Sequence, residues 1–339
     1  MTNSTPYPIN MQIKILRAGL HTSIQDLGRH KFLSQAVPVS GAMDPLSARI
    51  ANLAIGNAET DALLEFTYGN AAFKCETDIL LAYAGGGSNL VALGEILPSR
   101  RAIFFPAGTV VDLVNNEHGV RTYLSVAGGW DVENVLGSRS TYLPAGFGGH
   151  HGRLLKKGDL LRSCSSLAPS TTSLLGKLRG ESVKQASWGI PYNFLRSENG
   201  NTVRIFAGRE ITWFEGRSVI DLLAEPFSID LKSNRMGISL KGPQMERTIT
   251  KELLSTGVCP GTIQVTGNGE MILLMADCQT TGGYPRIAQV ASVDIPLCAQ
   301  LKPMEEISFS LIDHHEAELL LFQQQAEMKK LSQAIHNKL

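Results

Sequence analysis

The chain has 339 residues, 43% of them apolar, with 31 basic against 31 acidic side chains and a formal charge of zero. That length is more than one core usually serves and predicts two domains. The neutral balance excludes a general attraction to nucleic acid or anionic lipid. Glycine is in surplus: there are 33, against an average of ~7% of residues, which marks tight turns and close backbone approaches. No apolar run approaches the ~18 residues of a membrane span, and the polar opening MTNSTPYPIN lacks a signal-peptide core. Five cysteines (Cys75, Cys164, Cys259, Cys278 and Cys298) are scattered without a CxxC pair. They predict reduced, buried thiols in a cytoplasmic protein, not a zinc ribbon or a disulfide framework.

In chain order, a leader over 1–10 precedes a strand at 11–17. A helix is predicted over 45–55, with Asp44 placed to cap it, Pro45 at its first position and Gly56 as its stop. Short strand patterns follow at 78–84, 102–105, 110–114, 122–127 and 159–162, separated by glycine-rich turns. No regular strand–helix alternation appears, so a mainly β fold with a few helices is expected. The small-polar tract after Cys164 predicts a linker over 165–201, between a first β unit at 11–164 and a second at 202–312. In the second unit, strands at 203–207, 262–266, 271–276 and 306–312 are predicted. Gly267-Asn268-Gly269 serves as a hairpin turn. A helix over 313–339 closes the chain. The strings LAYAGGG (81–87) and LSVAGGW (124–130) echo each other, as do LLKKGDLL (154–161) and LKPMEEISF (301–309). Two related β units in one chain would explain this.

Several chemistries find no support. There is no GxxxxGK[ST] loop and no GxSxG elbow. Gly85-Gly86-Gly87 leads from strand into strand, unlike a dinucleotide fingerprint. His150-His151 and His314-His315 are adjacent pairs, a poor geometry for two ligands of one metal, and no metal site is expected. Polar clusters in glycine-rich surroundings are the positive signal. They are 23–29, 37–44, 137–142, 148–153, 233–237 and 277–285. Asp26 and Arg29 are close enough in sequence to pair across a turn.

Read in order, QDLGR (25–29), VSGAMD (39–44), AxxAN…GN (48–57), AGGWD (127–131), LGSRSTY (136–142), GRxLxxGD (152–159), SxRMGxxLxG (233–242) and DxQTTGGYP (277–285) closely resemble the family called allophanate hydrolase subunit 2. That family takes in the KipA-type proteins, the C subunit of the bacterial 5-oxoprolinase, and part of the carboxyltransferase domain of urea carboxylase. The resemblance covers about 11–311. One departure is Pro303-Met304-Glu305, where the family has Pro-Gly-Asp. The resemblance implies two cyclophilin-like β-barrel units. It also implies a subunit-1 or KipI-type partner (the 5-oxoprolinase B subunit), together with the 5-oxoprolinase A subunit, and self-association is compatible with it. The activity it implies is ATP-dependent opening of 5-oxoproline to L-glutamate by the complex, with ATP, with or without Mg, bound through the assembly. The alternatives are carboxyl transfer from carboxybiotin to a urea-like or amide nitrogen, with biotin as cofactor, and a non-catalytic KipA-type regulator.

For an unreactive lactam bearing a carboxylate, Arg235, Arg29 and Arg139 are candidates to hold that carboxylate bidentately. Asp277 or Asp26 would bind the ring N–H or help hold a metal–nucleotide. Gln279, Thr280 and the Gly282-Gly283 backbone would donate to an anionic intermediate. Asp277, Arg235 and Asp26 are therefore the expected catalytic residues. Gln25, Arg29, Ser40, Asp44, Arg139, Gln279, Thr280, Gly282 and Tyr284 are the expected substrate-binding residues.

Overall fold

The computed structural model describes residues 10–195, 200–249 and 251–339. Of the expected leader, only Asn10 falls within them. The chain forms two compact units: 1–27, 45–194 and 330–339 make the first, and 28–44 and 195–329 the second.

The first unit contains two antiparallel six-stranded sheets. One runs in the order Leu160–Arg162, Gln12–Ala18, Ala71–Cys75, Val110–Asn115, Ser88–Ala92 and Glu95–Ile96. The other runs Lys184–Gln185, Ile103–Phe105, Ile79–Gly85, Arg121–Val126, Leu63–Thr67 and His21–Gln25. The helix Pro45–Leu53 starts on proline, packs on Ile79–Gly85 and Arg121–Val126, and is followed by Gly56 at φ +77. With the helix on it, the strand Arg121–Val126 is buried along its whole length, so no polar alternation marks it in the sequence. The triple glycine is a packing device. A Cβ on Gly85 (φ +106) would lie 2.3 Å from the Arg121 carbonyl, and one on Gly87 2.3 Å from that of Val120.

The second unit is a closed seven-stranded barrel in the order Thr202–Ala207, Arg286–Val290, Thr262–Val265, Met271–Leu274, Gly237–Lys241, Phe227–Ile229 and Glu306–Leu311. The last strand closes onto the first in parallel. Val203, Ile205, Phe227, Ile263, Leu273 and Phe309 fill the interior. The expected hairpin is present, with Val265 opposite Met271 and Gly269 at φ +80 in its turn.

Two boundaries differ from the sequence reading. Residues 165–194 are no free linker. Helix Pro169–Leu178 buries Leu174, Leu175 and Leu178, and Lys184–Gln185 pairs with Ile103–Phe104. The first unit is also interrupted, because 28–44 joins the second. The final helix, His314–His336, has its last residues grouped with the first unit. Not every thiol is buried either. Cys259 is exposed and Cys164 intermediate, whereas burial pushes the Cys75 and Cys278 thiols up to about 12. Among the described residues no helix is long and apolar enough to cross a membrane.

The echo between the units is real at the level of one turn. In the first unit the Asp159 N–H donates to the Lys156 carbonyl at 3.1 Å, Asp159 Oδ2 accepts the Lys156 N–H at 2.8 Å, and Gly158 sits at φ +94. In the second, the Glu305 N–H donates to the Lys302 carbonyl at 3.1 Å, Glu305 Oε2 accepts the Lys302 N–H at 2.9 Å, and Met304 sits at φ +73. The departure from Pro-Gly-Asp therefore keeps the turn, at the cost of a left-handed non-glycine residue. Met304 is also 74% exposed, so its side chain contributes little packing. We expect Met304→Gly to raise unfolding stability by about 1 kcal/mol in urea titrations. A loss of stability would show that the Met304 side chain matters more than its backbone conformation.

Candidate functional site

Each unit carries its own cluster of the predicted residues. In the second, Gly237 pairs with Leu274. Beyond that ladder Met275 N–H donates to the Met236 carbonyl (3.0 Å) and Asp277 N–H to the Arg235 carbonyl (2.9 Å). This extension sets Arg235 and Asp277 opposite each other. Arg235 Nε donates to Asp277 Oδ2 at 2.8 Å, and Nη2 donates to Oδ1 at 3.1 Å. The same Nη2 donates to the Gly41 carbonyl at 2.6 Å, and Ser40 Oγ donates to Asp277 Oδ1 at 2.7 Å. Arg235, Asp277 and Ser40 are all more than nine-tenths buried. Ser40 and Gly41 are both left-handed, at φ +57 and +90. The ion pair thus grips a strained turn that comes from 28–44, far away in sequence. Gly28 lets the other end of that segment close, since a Cβ there would lie 2.7 Å from Val39. Arg29 is 1% exposed in the same segment, and its N–H donates to the Val39 carbonyl at 2.8 Å. Asp44 accepts a 2.8 Å bond from Gln300 Nε2.

The loop after Asp277 is organised by a residue the sequence reading missed. Gln264, buried on the barrel strand Thr262–Val265, donates from Nε2 to the Tyr284 carbonyl (3.0 Å) and accepts from Gln279 Nε2 (3.4 Å). A Cβ on Gly282 would meet Gln264 Nε2 at 2.6 Å, so the loop lies directly over this amide. The Thr280 carbonyl accepts the Val258 N–H at 3.0 Å, and Tyr284 is exposed. A glutamine between Ile263 and Val265 on the expected strand was the available signal.

In the first unit, Asp26 meets the 138–140 segment. Its Oδ1 accepts from Ser138 Oγ (2.7 Å) and Ser140 Oγ (2.5 Å), and its Oδ2 accepts the Arg139 N–H (2.6 Å). Those donors explain why LGSRSTY follows QDLGR. Gln25 Nε2 donates to Ser23 Oγ at 2.9 Å and, at 3.4 Å, to the Thr141 carbonyl. Asp61, also missed, sits under the double glycine of AGGWD, where a Cβ on Gly129 would lie 3.1 Å from its own Cβ. The AN…GN motif holds it there. Asn52 Nδ2 donates to the Asp61 carbonyl (2.9 Å), Asn57 Nδ2 donates to the Val126 carbonyl (2.7 Å), and Asn57 Oδ1 accepts the Gly128 N–H (2.9 Å). Burial pushes the Asp61 carboxyl up, while the Ala58 N–H and the Arg139 charge pull it partly back. A perturbed carboxylate beside a guanidinium is a functional-site signature.

These geometries sort the arginine candidates. The fork of Arg235 is committed to Asp277 and Gly41, so Arg235 positions backbone and is not open to a substrate carboxylate. Arg139 is only partly buried and, among the described residues, makes no ion pair. Of the histidines, His150 lies 3.7 Å from Asp159, whose carboxyl the Arg153 fork holds down at about 2, and His314 is 71% exposed. Among the described residues, no group of three or more His, Cys, Asp and Glu is placed to hold a metal ion.

The comparisons with known proteins fit this layout. A family model described as "Carboxyltransferase domain, subdomain A and B" matches residues 35–311. The chain is 39% identical to the C subunit of 5-oxoprolinase from Escherichia coli, over 96% of its own length and 99% of the relative's. It is 30% identical to the C subunit of 5-oxoprolinase from Haemophilus influenzae, over 90% and 93%. It also superposes on the crystal structure of the K. lactis urea amidolyase with a TM-score of 0.84 and 26% identity. That match covers 97% of this chain but only 20% of the amidolyase.

Removing one partner of a buried ion pair leaves the other charge uncompensated. Asp277→Ala is therefore expected to cost about 3–5 kcal/mol, and Ser40→Ala about 1 kcal/mol, measured by urea unfolding. A cost for Asp277→Ala no larger than that for Ser40→Ala would mean that the pair does not hold the turn.

Proposed function

From the premise that the chain belongs to the carboxyltransferase subdomain A and B family, we propose that it is the C subunit of a 5-oxoprolinase. In this reading it works in the cytoplasm with the A subunit and a subunit-1-type partner (KipI-type, the B subunit), in ATP-dependent opening of 5-oxoproline to L-glutamate. The observation that carries the reading is the 39% identity to the E. coli protein along almost all of both chains. The lactam carbonyl needs activation before water can open the ring, and ATP bound in the assembly supplies it.

The roles left to this chain are binding and proton handling. Arg139 is the guanidinium able to take the substrate carboxylate bidentately. Asp61 has its carboxyl raised by burial toward the range of a general base. Asp26 orients the Ser138–Ser140 segment through its three donors and thereby places Arg139. The Arg235–Asp277 pair shapes the Ser40-Gly41 turn, and Gln264 shapes the 279–284 loop. Under this reading Asp277 and Arg235 are positioning residues, and so is Asp26.

A second reading, carboxyl transfer from carboxybiotin to a urea-like nitrogen, is favoured by the likeness to the urea amidolyase. Reconstitution separates the two. The chain, coexpressed with its subunit-1-type partner and the third subunit, should release glutamate from 5-oxoproline with ATP. Arg139→Ala should raise KM roughly a hundredfold, the loss of one charged bidentate contact, and Asp61→Asn should lower kcat with little change in KM. Biotin-dependent carboxylation of urea without glutamate release would overturn the proposal in favour of the second reading.

A further inference from the structure

The segment 148–153 is a glycine-rich cluster that the roles above leave unused, and it forms one wall of a cavity inside the first unit. The cavity has a volume of about 500 Å³ and is lined by 130–133 with 135, by 146–152 and by 160–162. Its glycine wall is built from left-handed residues: Gly146, Gly148, Gly149, His151 and Gly152 have φ between +55 and +72. The conformation is forced by packing. A Cβ on Gly152 would lie 1.9 Å from the Gly146 carbonyl, and one on Gly149 1.9 Å from Thr141 Oγ1. Chains that mix left- and right-handed residues in this way turn successive N–H groups toward one side and bind anionic groups. Gly149 and Gly152 spend their N–H groups on the Arg139 and Gly148 carbonyls. Among the described residues, the N–H groups of Gly148, His150 and His151 find no acceptor.

The lining also includes Trp130, which is 1% exposed and whose indole N–H has no acceptor among the described residues. An unsatisfied buried donor costs about 1–3 kcal/mol, a cost that a bound acceptor removes. Next to it stand Asp131 and Glu133, both exposed, and Arg162, also exposed, whose carbonyl accepts the Asp131 N–H at 2.9 Å. Burial holds His150 toward its neutral form. The fixed side-chain charges are therefore two negative and one positive. That balance repels a simple anion but suits a ligand with one charge of each sign. Val132, Val135 and Leu160 supply an apolar wall.

We propose that this cavity binds a small zwitterionic α-amino acid. Its carboxylate would meet the Gly148, His150 and His151 N–H groups and the Trp130 indole, its ammonium Asp131 and Glu133, and its aliphatic side chain the apolar wall. The site does not depend on the reading given above for the assembly, because binding is measured on the isolated chain without turnover.

The test uses the full chain labelled with ¹⁵N-tryptophan, whose three indoles give three N–H resonances, with Trp130 assigned by Trp130→Phe. Titration with L-valine should move the Trp130 resonance downfield to saturation and leave the Trp188 and Trp213 resonances in place. The double variant Asp131→Asn, Glu133→Gln changes only exposed residues and should weaken that binding about tenfold or more, the loss of a charged hydrogen-bonded partner. Isovalerate and isobutylamine, which each keep one of the two charges, should bind at least tenfold more weakly than L-valine. No movement of the Trp130 resonance with L-valine would overturn the proposal. So would isovalerate binding as tightly as L-valine and indifferent to the double variant, which would make the cavity an anion site.

Discussion

Arg235 and Asp277 are each more than nine-tenths buried, and two charges taken that far out of water must satisfy each other almost completely. They do so through Nε and Nη2 on the two carboxylate oxygens, and the remaining capacity is used on the 39–44 motif: Ser40 Oγ on the carboxylate, the Gly41 carbonyl on the guanidinium. Neutral groups at these positions would pack without tying Ser40 and Gly41 to left-handed backbone. The pair therefore secures a particular loop conformation in the second unit more than it adds stability to the barrel. Three of the eight family motifs, those at 39–44, 233–242 and 277–285, are explained by this one contact.

The first unit follows a different rule. The polar groups around Asp26 and Asp61 are organised by hydroxyls, amides and glycines. Asp26 is saturated by two serines and a backbone N–H, and Asn52 and Asn57 fix the turn that carries Asp61. Burial disfavours the charged form of the Asp61 carboxyl, whereas Asp26 is engaged by three donors. That difference supports the proposed division between Asp26 as an orienting group and Asp61 as a reactive one. Likewise, a guanidinium committed to a buried carboxylate cannot also clamp a substrate, which supports the role proposed for Arg139.

Much of the fold was legible because local chemistry determined it. Pro45 and Gly56 bracket a helix, Gly267-Asn268-Gly269 makes a hairpin, and the Lys156–Asp159 and Lys302–Glu305 turns resemble each other in sequence because they are the same turn. What was illegible depended on partners distant in the chain. The tract after Cys164 is small and polar, so three leucines on one helical face were too weak a pattern to reveal the helix Pro169–Leu178. Nothing within 28–44 indicates that it leaves the first unit, since its anchors are residues 235 and 277. The candidate site residues fall in clusters, one set in each unit. Their roles could not be assigned, because whether an arginine is committed or open is decided by a partner 42 residues away, and whether a carboxylate is saturated is decided by donors more than 110 residues away.

The dependence of the second-unit loop on the Arg235–Asp277 contact is best tested by a double-mutant cycle on unfolding stability, using Arg235→Met, Asp277→Leu and the pair together. The account predicts a coupling of about 3 kcal/mol, with the double variant more stable than either single variant, because the cost lies in leaving one buried charge alone. Additive effects, with coupling under about 0.5 kcal/mol, would contradict it and show that the two side chains serve the loop independently.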